Sequence, residues 1–274
     1  MRISLFSQSL FALSLEEAID VTASLGYKAI ELACCKPHFD LETARQSPEK
    51  VAERIHNAGL EVSALSGFNC FSERARLVEE LASAETYIRL ASLFGTRTVK
   101  LTPGTPASAQ ATGAHWNCLG FALALLVPLA RELGLRLAFE THMRQLTDTL
   151  ASSQRFLALA PRDVVGLTLD FSNMAFAGED LTCVVPALIG RTFNTHVKNG
   201  TVDAQGGWHF QALDQGLTDY AQVLPLVAAA GYDGYLTVEC LGAEAAAHPR
   251  EVAHRDLEIL RGYLAKLDIK EDNA

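Results

Sequence analysis

The chain has 274 residues, 49% of them hydrophobic and 20% charged, which suits one large domain with a full core. Its formal net charge is −9, and no lysine or arginine cluster stands out. This balance argues against duplex DNA or an acidic membrane surface, so we expect no nucleic-acid partner and no membrane partner.

The first residues, MRISLFSQSLFALSLEE, contain one basic residue and soon become acidic. This pattern indicates a strand and a loop rather than a signal peptide. The six cysteines form no C-x-x-C pair, which is typical of reduced thiols in a cytoplasmic protein. No run of about 18 consecutive apolar residues occurs, so no membrane-spanning segment is expected.

One pattern recurs along the chain, namely a helical stretch that ends in glycine and is followed by a short apolar run. Glycine is favoured just past a helix because it adopts the left-handed conformation without steric cost. The runs that follow resemble buried parallel strands. The glycines at these joints are Gly26, Gly59, Gly95, Gly134, Gly190 and Gly231.

Capping signals predict where several helices begin. Ser14 to Glu17 form a capping box before an apolar-periodic stretch. Ser47-Pro48 predicts an N-cap with proline in the first turn. Pro249 is expected to open a last helix, whose inner face would carry Val252, Leu257, Leu260 and Leu264.

These signals predict eight strands that alternate with helices, near residues 2–6, 29–33, 60–65, 97–102, 135–140, 165–170, 192–197 and 235–239. Strict alternation without extra strands favours an α/β fold of the (β/α)8 TIM-barrel type, as a single domain over residues 1–274. An open doubly wound sheet is the alternative, but the first strand lacks the glycine-rich phosphate turn of that class.

The last polar residue of each of the last four predicted strands is a carboxylate or an imidazole. The residues at these ends are Glu140, Asp170, His196 and Glu239. In a barrel, the carboxyl ends of the strands meet at one rim. Three anions there would repel one another, unless a divalent cation neutralises them. Oxygen-rich ligation with one imidazole favours one Mn2+ or Mg2+ ion, with Co2+ or Zn2+ as alternatives. Otherwise, each residue is an ordinary cap or salt-bridge group.

Other polar residues are predicted near this rim, and each has a structural alternative. Glu31 either binds substrate or pairs with a neighbour, and His142 either contacts substrate or closes its loop. Lys198 offers a cation to a substrate hydroxyl or carboxylate. His209 lies in a loop long enough to fold over the mouth, although loop histidines are usually solvated. Asp219 is expected to act first as a helix cap.

Several motifs of this chain resemble the xylose isomerase-like TIM-barrel superfamily, in its sugar-phosphate isomerase/epimerase branch. The motifs are S-L-E-E-A-I-D and L-G-Y-x-A-I-E-L near the start, F-E-T-H at 139–142, L-D-F-S-N at 169–173, H-V-K-N at 196–199 and A-G-Y-D-G-Y-L-T-V-E at 230–239. The resemblance implies a metal held by the four residues named above. It also implies that the protein is a homodimer or homotetramer.

Two departures from the pattern bear on the substrate. Asn173 stands where many members carry a histidine after strand six, so we expect it to contact the substrate or support a ligand. No arginine lies between His196 and Glu239, although sugar-binding relatives often carry one there. Both departures leave the predicted metal ligands in place.

The expected activity is that of a metal-dependent isomerase or epimerase of carbohydrate metabolism, acting on a sugar or a related α-hydroxy carbonyl. Glu140 and Glu239 would be the acid/base pair that moves a proton through an enediolate. The closest alternative is a dehydratase of an inosose or dehydroshikimate type, which begins with the same proton abstraction. An endonuclease and a non-enzymatic sugar-binding barrel are more distant alternatives.

Overall fold

Eight parallel strands form a closed barrel in the computed structural model, which describes residues 1–271. The barrel strands are β1 (Arg2–Phe6), β2 (Ala29–Ala33), β3 (Glu61–Ser66), β4 (Thr98–Leu101), β5 (Arg136–Glu140), β6 (Val165–Asp170), β7 (Thr192–Val197) and β10 (Tyr235–Val238). Their order around the barrel is β1-β10-β7-β6-β5-β4-β3-β2. The (β/α)8 prediction is therefore confirmed, and every strand end lies within one residue of its predicted position; the last three residues of the predicted domain lie outside the described part.

The helices cover the outside of the barrel and bury apolar faces against the strands. They are α1 (Leu15–Ser24), α2 (Leu41–Gln46), α3 (Pro48–Asn57), α4 (Leu77–Leu90), α5 (Gly113–Glu132), α6 (Leu150–Ala158), α7 (Phe171–Phe176), α8 (Leu181–Leu188), α9 (Tyr220–Ala229), α10 (Gly242–Ala247) and α11 (Pro249–Lys266). The strands are buried on both faces, which explains why their sequences read as apolar runs.

Most of the predicted helix signals are present in the structure. Ser14 and Glu17 form the capping box of α1, and the four predicted inner-face residues of α11 are buried. Five of the six joint glycines have positive φ. Gly190 does not, because it lies inside a short 3-10 helix, Ile189–Arg191, that leads directly into β7. Ser47 is the N-cap residue of α3 and Pro48 lies in its first turn, as predicted, although the Ser47 side chain makes no capping hydrogen bond.

Helix α5 is the one helix among the described residues that is long and apolar enough, by length and composition, to cross a bilayer. About 39% of its apolar window is buried inside the protein. The buried side chains include Trp116, Leu119, Leu123 and Leu126, which belong to the barrel core. The helix therefore serves as one of the outer helices of the barrel, and the same property is common in core helices.

A small antiparallel hairpin follows β7, formed by β8 (Asn199–Val202) and β9 (Trp208–Gln211). Its base requires glycine, because a Cβ on Gly200 would lie 2.3 Å from the carbonyl oxygen of His209. The amide of Asn199 fixes the base by donating to the carbonyl oxygens of Leu213 and Thr218. The segment predicted as a loop over the mouth is therefore an anchored hairpin.

Candidate metal centre

The four predicted ligands lie together at the carboxyl ends of β5, β6, β7 and β10. One ligand atom from each of Glu140, Asp170, His196 and Glu239 lies within 4.8 Å of the others. All four residues are buried. The strands that carry them are consecutive in the barrel, so parallel register brings their ends to one point.

The imidazole of His196 is oriented as a metal ligand would be. Its Nε2 lies 2.9 Å from Oε1 of Glu31, while its Nδ1 faces the cluster and, although buried, has no hydrogen-bond partner among residues 1–271. Nδ1 lies 3.4 Å from Oε1 of Glu140 and 3.7 Å from Oε2 of Glu239. A histidine ligand is commonly oriented by a carboxylate on its other nitrogen. The unpartnered nitrogen among carboxylates fits a divalent cation.

The charges around the cluster also fit a divalent cation. Burial opposes the charge on His196, yet Glu31 and Glu140 outweigh it and raise the pKa of the imidazole to about 10. Burial, together with the nearby carboxylates of Glu239 and Glu140, raises the pKa of Asp170 despite an adjacent lysine. The negative charge of the cluster thus favours the protonated forms of His196 and Asp170. A bound divalent ion would supply the positive charge in place of these protons.

Metal affinity should therefore increase with pH. Below pH 10 the imidazole of His196 carries an extra proton, and Nδ1 must lose it to bind a cation. The apparent Mn2+ affinity should rise by about tenfold per pH unit, or about 100-fold between pH 6 and pH 8. Calorimetric titration in two buffers of different ionisation enthalpy would measure the released proton. An affinity that does not change over this range would contradict the assignment of His196.

Glu31 supports the cluster from below. Burial would raise the pKa of its carboxyl, but His196 outweighs burial and lowers it. Ser66 and the amide of Asn194 donate to the same carboxylate at 2.6 and 2.7 Å. Glu31 is fully buried and does not line the cavity, so of its two predicted alternatives the structure fits pairing with a neighbour, the imidazole of His196, rather than substrate binding.

Replacing Glu31 by glutamine should weaken Mn2+ binding by about 10- to 100-fold, because a neutral acceptor holds the imidazole less firmly. The measurement is calorimetric titration of metal-free protein. Glu61→Gln is a suitable control, because Glu61 is exposed and lies at the opposite, amino-terminal end of the barrel. Equal affinities for both variants would remove Glu31 from this role.

Two buried lysines compensate part of the negative charge. Nζ of Lys198 lies 2.6 Å from Oδ2 of Asp170 and 2.5 Å from Oε2 of Glu239. Nζ of Lys100 lies 2.6 Å from Oε2 of Glu140. Lys100 was not predicted from the sequence. The sequence signal for it was a charged residue inside the otherwise apolar strand TVKL. Its neighbours Val99 and Leu101 lie on the opposite face of the strand, because successive side chains alternate.

A cavity of about 450 Å3 opens above the cluster. Glu140, Glu239 and Lys198 lie in its wall, as does the predicted His142. The upper wall is mostly apolar or neutral and includes Phe68, Asn69, Thr102, Met143, Gln145, Trp208, Phe210 and Leu241. The arrangement suits a small polyhydroxylated molecule that lies against aromatic rings and reaches the carboxylates.

Two further residues predicted near the rim, His209 and Asn173, do not line the cavity. His209 follows Trp208 on β9, and alternation along the strand turns it away from the cavity. Its exposed side chain pairs with Asp203 at 2.7 Å. Asn173 is buried below the cavity wall, where its amide donates to the carbonyl oxygen of Thr141 and approaches Glu140 Oε1 at 3.4 Å. It is therefore placed to support Glu140, one of the predicted ligands. Asp219 caps α9 as expected.

The sequence model of the xylose isomerase-like TIM-barrel family matches residues 19–263. The chain belongs to this family. The match covers β2 to β7, β10 and most of α11, and so includes all four clustered residues. The family assignment and the eight-stranded barrel thus agree.

Curated relatives are named inosose dehydratase. The protein of Bacillus thuringiensis (strain Al Hakam) is 24% identical over 164 residues, which is 55% of each chain. That of Geobacillus kaustophilus (strain HTA426) is 20% identical over 261 residues, covering 85% of this chain and 82% of the relative. The chain spans about half the length of the first of these relatives.

Solved structures share the fold at low identity. The IOLI protein with a bound zinc atom superposes with a TM-score of 0.84 at 16% identity, covering 97% of this chain and 99% of the other. A probable 3-DHS dehydratase, AsbF from Bacillus anthracis, superposes with a TM-score of 0.81 at 19% identity, covering 95% of this chain and 99% of the other. An L-ribulose 3-epimerase superposes with a TM-score of 0.80 at 22% identity, covering 97% of this chain and 95% of the other. The same barrel thus occurs in proteins named as dehydratases and as epimerases.

Proposed function

We propose that this protein is a divalent-metal-dependent dehydratase of a neutral polyhydroxylated ketone, of the inosose type. The observation that carries the proposal is the buried cluster of three carboxylates and one unpartnered imidazole nitrogen beneath a cavity. The curated relatives named inosose dehydratase support loss of water over the isomerase or epimerase activity expected from the sequence. Mn2+ or Mg2+ is the proposed ion, since most ligand atoms are oxygens.

The charges of the cavity wall favour a neutral substrate. Both the arginine and the lysine that line it, within the described residues, are already paired with carboxylates. Arg76 lies 2.6 Å from Oε1 of Glu80, and Lys198 lies between Asp170 and Glu239. A phosphate or a carboxylate would need an uncommitted cation to offset its desolvation. Hydroxyl groups need only the neutral donors and acceptors that Asn69, Thr102 and Gln145 provide.

The side chains of the site divide the reaction between them. A bound divalent cation would supply Lewis-acid polarisation of the substrate carbonyl. Glu239, at the cavity wall, takes the proton from the carbon beside that carbonyl. The electron pair of the broken C–H bond forms a carbon–carbon double bond, and the hydroxyl on the next carbon leaves with the same proton as water. Burial opposes the charge on Lys198, yet Asp170 and Glu239 raise its pKa, so its ammonium stays charged in the cavity wall, where it can stabilise the leaving hydroxyl.

Epimerisation is the second candidate, because both Glu140 and Glu239 reach the cavity. Two carboxylates on opposite faces of one carbon can remove and return a proton with inversion. The fold shared with an L-ribulose 3-epimerase is compatible with this activity. The two candidates differ in their products, since only dehydration releases water.

A substrate panel in deuterated water with Mn2+ would separate these candidates. It would contain inososes, free and phosphorylated ketoses, dehydroshikimate and hydroxypyruvate. We expect an inosose to lose one water molecule without forming an epimer. Conversion of a ketose into a deuterium-labelled epimer, with no dehydration of any inosose, would establish the second candidate instead. A homodimeric or homotetrameric state stays a prediction, which light scattering would test.

A further inference from the structure

Lys100 is an unusual residue for a barrel interior. Its side chain is about 1% exposed, and its Nζ lies 4.7 Å from the ring centroid of Phe68 and 5.6 Å from that of Phe6. Its ion-pair partner among residues 1–271 is Glu140, through Oε2 at 2.6 Å. The contact lacks the geometry of a directed hydrogen bond, so attraction between the charges accounts for it. Burying an ammonium costs free energy, and the attraction to Glu140 Oε2 offsets this cost.

The two glutamates of the cluster differ because of this contact. Glu140 has both oxygens engaged: Oε2 lies against Lys100, and Oε1 faces the amide of Asn173 and Nδ1 of His196, each at 3.4 Å. For Glu239, the side-chain contacts with Lys198 and His196 all involve Oε2, and none among residues 1–271 involves Oε1. Its second oxygen is therefore free to meet a substrate in the cavity, whereas the second oxygen of Glu140 is held aside.

We propose that Lys100 is a positioning residue that withholds one oxygen of Glu140 from the substrate, so that Glu140 serves only as a metal ligand and Glu239 alone carries the proton. The inference rests on the proposed function and refines it. A single carboxylate can remove a proton and pass it to a hydroxyl leaving from the same face. It cannot deliver a proton to the opposite face, as epimerisation with inversion requires.

Lys100 also contributes to the charge balance of the site. Four carboxylates, those of Glu31, Glu140, Asp170 and Glu239, face two ammonium groups, those of Lys100 and Lys198. With a neutral His196, two negative charges are left, which one divalent ion neutralises. Without Lys100 three would be left, and the cluster would attract a cation more strongly.

The test begins with Lys100→Met, which keeps the length of the side chain and removes its charge. Metal-free protein titrated with Mn2+ should show a dissociation constant at least about tenfold lower than that of the wild type. The control is Lys50→Met, since Lys50 is exposed on α3, and its dissociation constant should match the wild type. This measurement needs no substrate. Unchanged or weaker Mn2+ binding by Lys100→Met would overturn the inference.

The second arm uses the dehydration assay at saturating Mn2+. Lys100→Met should lower kcat by about tenfold or more and leave KM within about twofold, because Lys100 does not line the cavity. It should also begin to form an epimer, since the second oxygen of Glu140 becomes available. Unchanged kcat without epimer would count against the inference.

A different variant covers the case in which Lys100→Met does not fold. At saturating Mn2+, Glu239→Gln should lose at least about tenfold more turnover than Glu140→Gln, because only Glu239 carries the proton and Glu140 acts through the metal. Equal loss in both variants would show that both glutamates carry protons and would overturn the inference. Failure of wild-type protein to dehydrate any inosose would instead overturn the proposed function, and the Mn2+ titration would still decide the role of Lys100.

Discussion

Asp170→Ala should lose Mn2+ binding by more than about 100-fold, beyond the 10- to 100-fold effects typical of residues that only support a ligand. Asp170 is fully buried, and its Oδ2 lies 3.9 Å from Nδ1 of His196 and 2.6 Å from Nζ of Lys198. Its removal takes one anion from the cluster and leaves a buried ammonium with Glu239 alone. Calorimetric titration and metal analysis of the purified protein would measure the loss.

Asp170 has a second role that needs a control. Its Oδ1 accepts a hydrogen bond from the backbone N–H of Asn173 and so caps α7. Loss of a cap alone costs about 1 kcal/mol. Asp180→Ala is the matched control, because Asp180 caps α8 in the same manner but is exposed. Both variants should lose comparable cap energy, and only Asp170→Ala should lose the metal. Retention of one equivalent of Mn2+ by Asp170→Ala would exclude the proposed centre.

The barrel could be predicted from the sequence because its signals are local. A glycine past a helix followed by a buried apolar run reports both the end of one element and the start of the next. Gly26, Gly59 and Gly134 behave in this way. Gly190 does not, because the chain passes from α8 to β7 through the 3-10 helix Ile189–Arg191. From the sequence, this segment cannot be told apart from a helix that ends in glycine.

The four clustered residues could also be predicted, because each is the final polar residue of an apolar strand. Barrel geometry then brings them together without further information. Lys100 escaped prediction because it lies within a strand rather than at its end, and its partner Glu140 comes from the next strand. Whether Lys100 reaches Glu140 depends on which face of β4 points into the barrel, and the sequence alone does not say which face that is.

The hairpin formed by β8 and β9 depends on contacts that are remote in sequence. Asn199 reaches Leu213 and Thr218, and Gly200 packs against the backbone of His209. Neither strand is apolar enough to be recognised by itself. The side that faces the cavity follows from this pairing, which explains why Trp208 lines the wall while His209 points to solvent.

Glu239→Gln should lower turnover by about 100- to 10,000-fold at saturating Mn2+, the usual contribution of a general base. Glutamine keeps the size of the side chain and an oxygen that can still approach a cation, but it cannot accept the proton. Exchange of solvent deuterium into the substrate should be lost together with dehydration, because both need the same C–H bond to ionise. Product analysis by NMR in deuterated water would follow both.

The control for this variant is Glu244→Gln, which removes a carboxylate from the exposed start of α10, where it pairs with Arg255 at 2.8 Å. An exposed pair of this kind contributes little to stability, so turnover should match that of the wild type. Thermal unfolding should show that both variants are folded. If Glu239→Gln still released the α-proton at the wild-type rate, another group would be the base, and Glu140, the other carboxylate of the cluster that lines the cavity, would be the next residue to replace.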